Sequence, residues 1–204
     1  MQRKMREQIT EVVARLTKTE NHSAGWSPQE KDISREKFYA VLDDLRTIKV
    51  QTLAAAEEEP AQEKAQKAIE TILGKQLRKV LLEMLQNSQT YAADGKNLKN
   101  FFDFAAQCAL KETITEKLIL ELFQDMFECC PESELKRLFE LFKNVVLNEG
   151  DHKLQFVEND LHVCSRICRV IMSKLTVTHD LQFRGTLQRF LARCLPLTHP
   201  SGKK

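Results

Sequence analysis

Turn-forming residues are scarce in this sequence, which has only six glycines and five prolines among 204 residues. A β-sandwich or β-barrel needs a turn roughly every 8–12 residues, so this composition disfavours both architectures. No segment shows convincing period-two alternation between hairpin turns; the nearest, TVTHDLQF from Thr176, is short and lies between two strong helical patterns. The abundant aliphatic, Glu, Lys and Gln residues favour helices instead.

We expect neither a membrane span nor a secretory leader. No apolar run approaches the ~18 residues that a bilayer span requires, and Met1 is followed by the polar stretch QRKMREQ. We therefore expect an intracellular protein that does not contact a membrane. The six cysteines fit this expectation as reduced thiols, because Cys164, Cys168 and Cys194 fall on apolar helical stripes, where a thiol behaves as a small hydrophobe.

Recognised catalytic motifs are lacking as well, since the chain contains no GxxxxGK(S/T), GxGxxG, HExxH or GxSxG pattern. Cys164 and Cys168, four residues apart in a predicted helix, offer only half of a zinc site, and Cys129 and Cys130 are adjacent rather than spaced as a zinc knuckle. The carboxylate run at 57–59, beside three alanines, reads as a solvated helix end or linker. We predict no enzyme activity, no catalytic, cofactor-binding or metal-binding residue, and no small-molecule substrate.

Apolar residues recur at the period of an α-helix along almost the whole sequence. The stripes are Met5–Leu16, Phe38–Ile48, Ile69–Leu85, Leu98–Cys108, Ile119–Phe127, Leu135–Val146, Leu161–Leu175 and Leu187–Leu195. The loops from Leu98 onward are short, so successive helices should be antiparallel neighbours. The sequence therefore predicts an all-α fold, an irregular stack or solenoid of about eight amphipathic helices packed as antiparallel hairpins.

The start of the second helix and the best domain boundary are marked by local signals. Ser27-Pro28-Gln29-Glu30 has a capping serine, proline at the first helical position and glutamate three residues after the serine. This helix fades into AAAEEEP, where Pro60 marks the boundary. We predict an amino-terminal helical pair at 1–59 and a helical domain at 60–204.

Charge is unevenly distributed although the formal net charge is only +2. Residues 111–151 hold ten acidic and five basic side chains, whereas residues 160–204 hold eight basic and two acidic ones. This asymmetry predicts one acidic and one basic surface.

The last helical stripe, in Leu181–Leu197, defines a candidate docking face. Its apolar residues share one face, and Arg189 and Arg193 lie on the opposite side until Pro196 stops the helix. Base-stacking aromatics are not interleaved with the cations, so nucleic acid is the less favoured partner, while a protein partner and an ordinary solvated face remain open. The candidate partner-docking residues are Arg184, Arg189, Arg193, Lys203 and Lys204.

Two stretches of the second half carry a further pattern. The first is Asp125-Met-Phe-Glu-Cys-Cys-Pro131, followed by Leu138-Phe139 and Asn144-Val145-Val146. The second runs from Arg166-Ile-Cys168 through Ile171-Met172 and Lys174-Leu175-Thr176 to Phe183-x-Gly185, Leu187, Phe190-Leu-Ala-Arg193, Pro196-Leu197 and Ser201-Gly202. In order and spacing both stretches resemble the amino-terminal helical region of the THO complex subunit 1 family, over about the last eighty residues. The departures include Thr186, where the family has Arg, and Cys194, where it has an apolar residue; family members are also much longer.

The resemblance implies a non-enzymatic nuclear scaffold subunit of the THO/TREX complex. Such a subunit couples transcription elongation and mRNA processing to mRNA export through protein–protein contacts. Its implied partners are other THO subunits and a DEAD-box RNA helicase, with any RNA contact indirect. The alternative is a helical adaptor in a cytosolic signalling or trafficking assembly.

Overall fold

The computed structural model of the chain describes residues 2–15, 35–56, 59–86, 96–147, 154, 156, 158–176 and 180–194. Across these ranges the regular elements are all helical, and no strand occurs. The α-helices are α1 (Gln2–Ala14), α2 (Arg35–Ala54), α3 (Glu59–Gln86), α4 (Lys96–Leu110), α5 (Glu116–Cys129), α6 (Leu135–Val146), α7 (Glu158–Lys174) and α8 (Leu181–Cys194), with a 3-10 turn at Glu132–Glu134. The predicted all-α stack is confirmed.

The chain divides into two compact units, Met1–Thr115 and Glu116–Lys204. In the first unit α1 packs on both α2 and α3, and α2 also packs on α3 and α4. Apolar residues at helical spacing supply the contacts, because Ile9 and Val13 of α1 and Leu73 and Leu77 of α3 are fully buried. The division predicted at 59/60 falls inside this unit, and the organisation into 1–59 and 60–204 stays a prediction.

The carboxyl end of α4 is bound by side chains of two other helices of the first unit. Glu112 adopts a left-handed backbone conformation with φ 54°, and the amide of Thr113 donates to the carbonyl of Cys108 at 2.9 Å. This is the hydrogen-bond pattern with which many helices end. The Glu112 carbonyl also accepts from Lys49 Nζ at 2.6 Å and from Gln66 Nε2 at 3.1 Å, so side chains of α2 and α3 meet at one backbone oxygen.

An aromatic cluster forms the core of the second unit. The Phe142 ring lies 5.0 Å from Phe123, 5.8 Å from Phe127 and 5.3 Å from Phe190, measured between centroids. These edge-on and tilted arrangements are those that aromatic pairs favour. The cluster joins α5, α6 and α8, while α5 and α7 also pack against each other.

The boundaries of some predicted elements lie outside the described residues. These include the predicted helix start at Ser27, the acidic residues Glu57 and Glu58, and the predicted stop at Pro196. Among the helices that the structure describes, none has the combination of length and apolar character that crossing a bilayer demands.

Candidate docking surface

The inward face of α8 is set by two buried side chains. Leu187 is fully buried and Phe190 is 3% exposed. The Phe190 ring meets the Phe139 ring edge-on at 5.2 Å, and the half-buried Phe183 meets the same ring at 5.5 Å. The predicted orientation of the helix is therefore confirmed at Leu187 and Phe190. Leu191 is only half-buried, because it lies at the margin of this face.

Arg189 and Arg193 lie on the exposed side of α8. Arg189 Nη2 is 3.4 Å from Thr186 Oγ1, a long contact within the same helix. Leu181 at the start of the helix is 71% exposed, and a Cβ built on Gly185 would meet nothing within 4 Å. The outward side of α8 thus combines small and apolar groups with cations.

Arg184 differs from the other two arginines because it contacts the protein interior. It is half-buried, and its Nη1 donates to the carbonyl of Met172 at 3.1 Å. Met172 lies in the last turn of α7, where carbonyls have no partner within the helix and where a cation is electrostatically favoured. Arg184 therefore stabilises the α7 terminus, a role that sequence spacing alone did not reveal.

Lys174 has a similar internal role at the end of α5. Its Nζ donates to the carbonyl of Glu128 at 2.8 Å and to that of Cys130 at 2.9 Å. Both carbonyls lie at the carboxyl end of α5, so this ammonium group satisfies acceptors that the helix leaves open. Lys174 is consequently committed to the fold, although the charge count included it in the basic surface.

The eight basic residues of 160–204 now separate into three groups. Lys174 and Arg184 bind helix-terminal carbonyls. Lys203 and Lys204 lie outside the described residues. The exposed cations are Arg166 and Arg169 on α7 and Arg189 and Arg193 on α8. Arg166 Nη2 lies 2.8 Å from His162 Nε2, while Arg169 has no hydrogen bond or ion pair within the described part of the chain.

The surroundings of these arginines distinguish α8 from the other charged helices. Arg3 with Glu7, Lys67 with Glu63 and Lys79 with Glu83 are ion pairs along a single helix. The sequence of α8, LQFRGTLQRFLARC, contains no carboxylate at all. The exposed positive charge of α8 is therefore not neutralised along its own helix.

The buried cysteines of the second unit are unsuited to nucleophilic chemistry. Burial raises the pKa of the Cys168 thiol to about 12 and that of Cys130 to about 11. Cys164 and Cys168 are fully buried, as their place on the apolar stripe of α7 predicted, while Cys194 is half-buried. A thiol with a raised pKa is rarely the reactive thiolate at neutral pH. Within the described ranges no three His, Cys, Asp or Glu side chains converge as a metal site would require.

Comparisons of this chain with protein-family models, with curated proteins and with solved structures gave no match.

Proposed function

We propose that this chain is a nuclear scaffold subunit of the THO/TREX assembly, without catalytic activity, that couples transcription and mRNA processing to export by binding other subunits. In this proposal the exposed face of α8, represented by Arg189 and Arg193, docks an acidic surface of a partner protein. Membership of THO/TREX and the nuclear location rest on the resemblance of residues 125–146 and 166–202 to the THO complex subunit 1 family.

The observation that carries the docking proposal is that α8 has exposed arginines and no carboxylate in its own sequence. A solvated helix face commonly mixes both signs, as α3 does with Lys67 and Glu63. On α8 the cations lack carboxylate neighbours in their own helix, while Phe190 on the other side fixes the helix to its core. A rigid helix that presents one sign of charge is suited to electrostatic recognition of a partner.

Capture of partners from nuclear extract tests this proposal. The variant Arg189→Glu with Arg193→Glu should keep its helicity and melting temperature, because both side chains are exposed. It should recover THO subunits and the DEAD-box helicase more weakly, since charge reversal adds repulsion. Nuclease treatment of the extract should leave the wild-type recovery intact if RNA contact is indirect.

A matched control is Lys99→Glu with Lys117→Glu, which makes the same change of net charge at exposed positions on α4 and α5. The control should retain capture. Wild-type recovery of no THO subunit would contradict THO membership, and recovery of cytosolic signalling or trafficking proteins in its place would favour the helical-adaptor function. Undiminished capture by the folded α8 variant would show that Arg189 and Arg193 are ordinary solvated residues.

A further inference from the structure

A groove in the first compact unit lies between α1 and α3 and has a volume of about 530 Å³. Arg3 and Arg6 line it from α1, and Lys67 and Lys75 line it from α3. The two helices pack directly, with Ile9 and Val13 of α1 buried, so the walls of the groove belong to one core. We refer to this feature as the α1/α3 groove.

The charges of the α1/α3 groove all have the same sign. Its described lining residues include four cations and no carboxylate. Arg3 pairs with Glu7 at 3.1 Å and Lys67 with Glu63 at 2.6 Å, but these pairs are exposed, and such pairs stabilise a protein only slightly. Arg6 and Lys75 form no hydrogen bond or ion pair with the residues that the structure describes. Each wall therefore has one cation that forms no ion pair with the described residues.

The floor of the groove is apolar. Ala68 and Ile72 are half-buried lining residues one helical turn apart on α3. Lys67 and Lys75 flank them along the same helix, roughly 12 Å apart at 1.5 Å per residue. At the far end Gln76 Nε2 donates to Thr10 Oγ1 at 3.1 Å, which ties α3 to α1 and holds the walls in place.

The combination of cationic walls and an apolar floor favours some classes of ligand over others. A small free anion would use the cations but leave the apolar floor uncovered. A nucleic acid strand favours aromatic side chains for base stacking, and the described lining contains none. An amphipathic helix with an acidic border satisfies both features, because its apolar side chains can cover Ala68 and Ile72 while its carboxylates reach the cations on either wall.

We propose that the α1/α3 groove is a docking site for an acidic amphipathic helix of a partner protein. It is separate from the face of α8, since it is built entirely from the first compact unit. The chain thus has two binding surfaces with the same charge preference, of which only the groove requires an apolar stripe on its ligand.

Binding of designed peptides to the full-length chain tests this proposal. The probe is a fluorescent helical peptide with leucines at positions i, i+4 and i+7 and glutamates beside them, measured by fluorescence anisotropy. A second peptide has the same composition but scrambled leucine positions. The wild-type chain should bind the first peptide about tenfold more tightly, because only that peptide presents a continuous apolar face.

Variants then locate the site. Arg6→Glu with Lys75→Glu should weaken binding of the amphipathic peptide by at least about tenfold, since each substitution replaces attraction by repulsion. Ile72→Ser should weaken it without altering the salt dependence. The control, Lys4→Glu with Lys99→Glu, changes the same number of exposed charges in the first unit away from the groove and should bind as the wild type does. Circular dichroism of every variant confirms that it is folded.

Equal binding of the two peptides would overturn the proposal, because it would show a general attraction for polyanions. Unchanged binding by the folded Arg6→Glu, Lys75→Glu variant would also overturn it. The same holds if the wild type binds a single-stranded RNA oligonucleotide more tightly than the peptide and this variant no longer binds the RNA. The Arg189→Glu, Arg193→Glu variant should bind the peptide normally. Failure of THO capture together with retained peptide binding would therefore refute the proposed function and leave the groove assignment standing.

Discussion

Replacement of Phe190 by alanine should lower the free energy of unfolding of the second unit by about 3–5 kcal/mol. The ring is 3% exposed, and its centroid lies 5.2 Å from that of Phe139 and 5.3 Å from that of Phe142. Burial of a phenylalanine contributes about 1.5–3 kcal/mol, and each favourable aromatic pair adds about 0.5–1.5 kcal/mol. Alanine loses both terms and leaves a cavity among the remaining rings, which accounts for the upper part of the range.

Urea unfolding of the full-length chain, followed by far-ultraviolet circular dichroism, measures this effect. The chain has two compact units, so the transition that shifts with Phe190 is the one to be fitted. A loss of this size is a large part of the total stability of a small unit. Phe190→Leu provides a milder probe, with an expected loss of about 1–1.5 kcal/mol because it keeps most of the volume but removes the aromatic contacts.

Arg189→Ala is the control, since the side chain is exposed and its removal should change stability by no more than about 0.5 kcal/mol. Leu191→Ala should cost only about 1–2 kcal/mol, because Leu191 is half-buried. Equal losses at Phe190 and Arg189 would refute the orientation of α8.

Two further predictions concern α8 and the buried thiols. Gly185→Ala should stabilise the second unit by about 0.5–1 kcal/mol, because a Cβ meets nothing within 4 Å and alanine is the better helix former; a lower melting temperature would contradict this. The free energy of unfolding of the second unit should also fall as the pH rises above about 9. The decline should continue towards pH 11 and 12, because the pKa of Cys130 is about 11 and that of Cys168 is about 12. Burial favours the neutral thiols and raises these pKa values. The contribution of the buried thiols to the free energy of unfolding is therefore complete below the ordinary pKa of a thiol and is lost as they ionise. In thermal melts under reducing conditions Cys168→Ala should flatten this decline, and an unchanged pH profile would contradict the assignment.

Helical period predicted the fold because each helix has one face that must be buried. Ile119, Leu122, Phe123 and Met126 recur at that spacing in α5, and all are fully buried. The same reasoning identified the buried stripe of α7 and the orientation of Phe190. Periodicity determines which face of a helix is inward, but it does not determine which other helix covers that face. The direct packing of α1 on α3 and of α5 on α7 therefore required the structure.

The candidate site was predictable only in part for a related reason. Exposure of Arg189 and Arg193 follows from their phase on α8, whereas the hydrogen bond from Arg184 to Met172 joins two helices and has no signature in the local sequence. The α1/α3 groove was missed because its cations are distributed between two helices far apart in the chain. A moderately basic α1 and a mixed-charge α3 form a basic groove only when they pack together.

Pairing of charges is more informative about this chain than their number. The formal net charge of +2 gives no indication of a binding surface, and several exposed cations are balanced within their own helix, as Lys79 is by Glu83 in α3. Arg189 and Arg193, by contrast, are four residues apart on α8 without an intervening carboxylate, a like-charge spacing that costs an isolated helix about 0.2–0.5 kcal/mol. A solvated face gains nothing from that arrangement, because one glutamate would relieve it. An acidic partner would convert the same repulsion into favourable binding energy, which is the physical reason for the proposal that this face of α8 docks a partner protein.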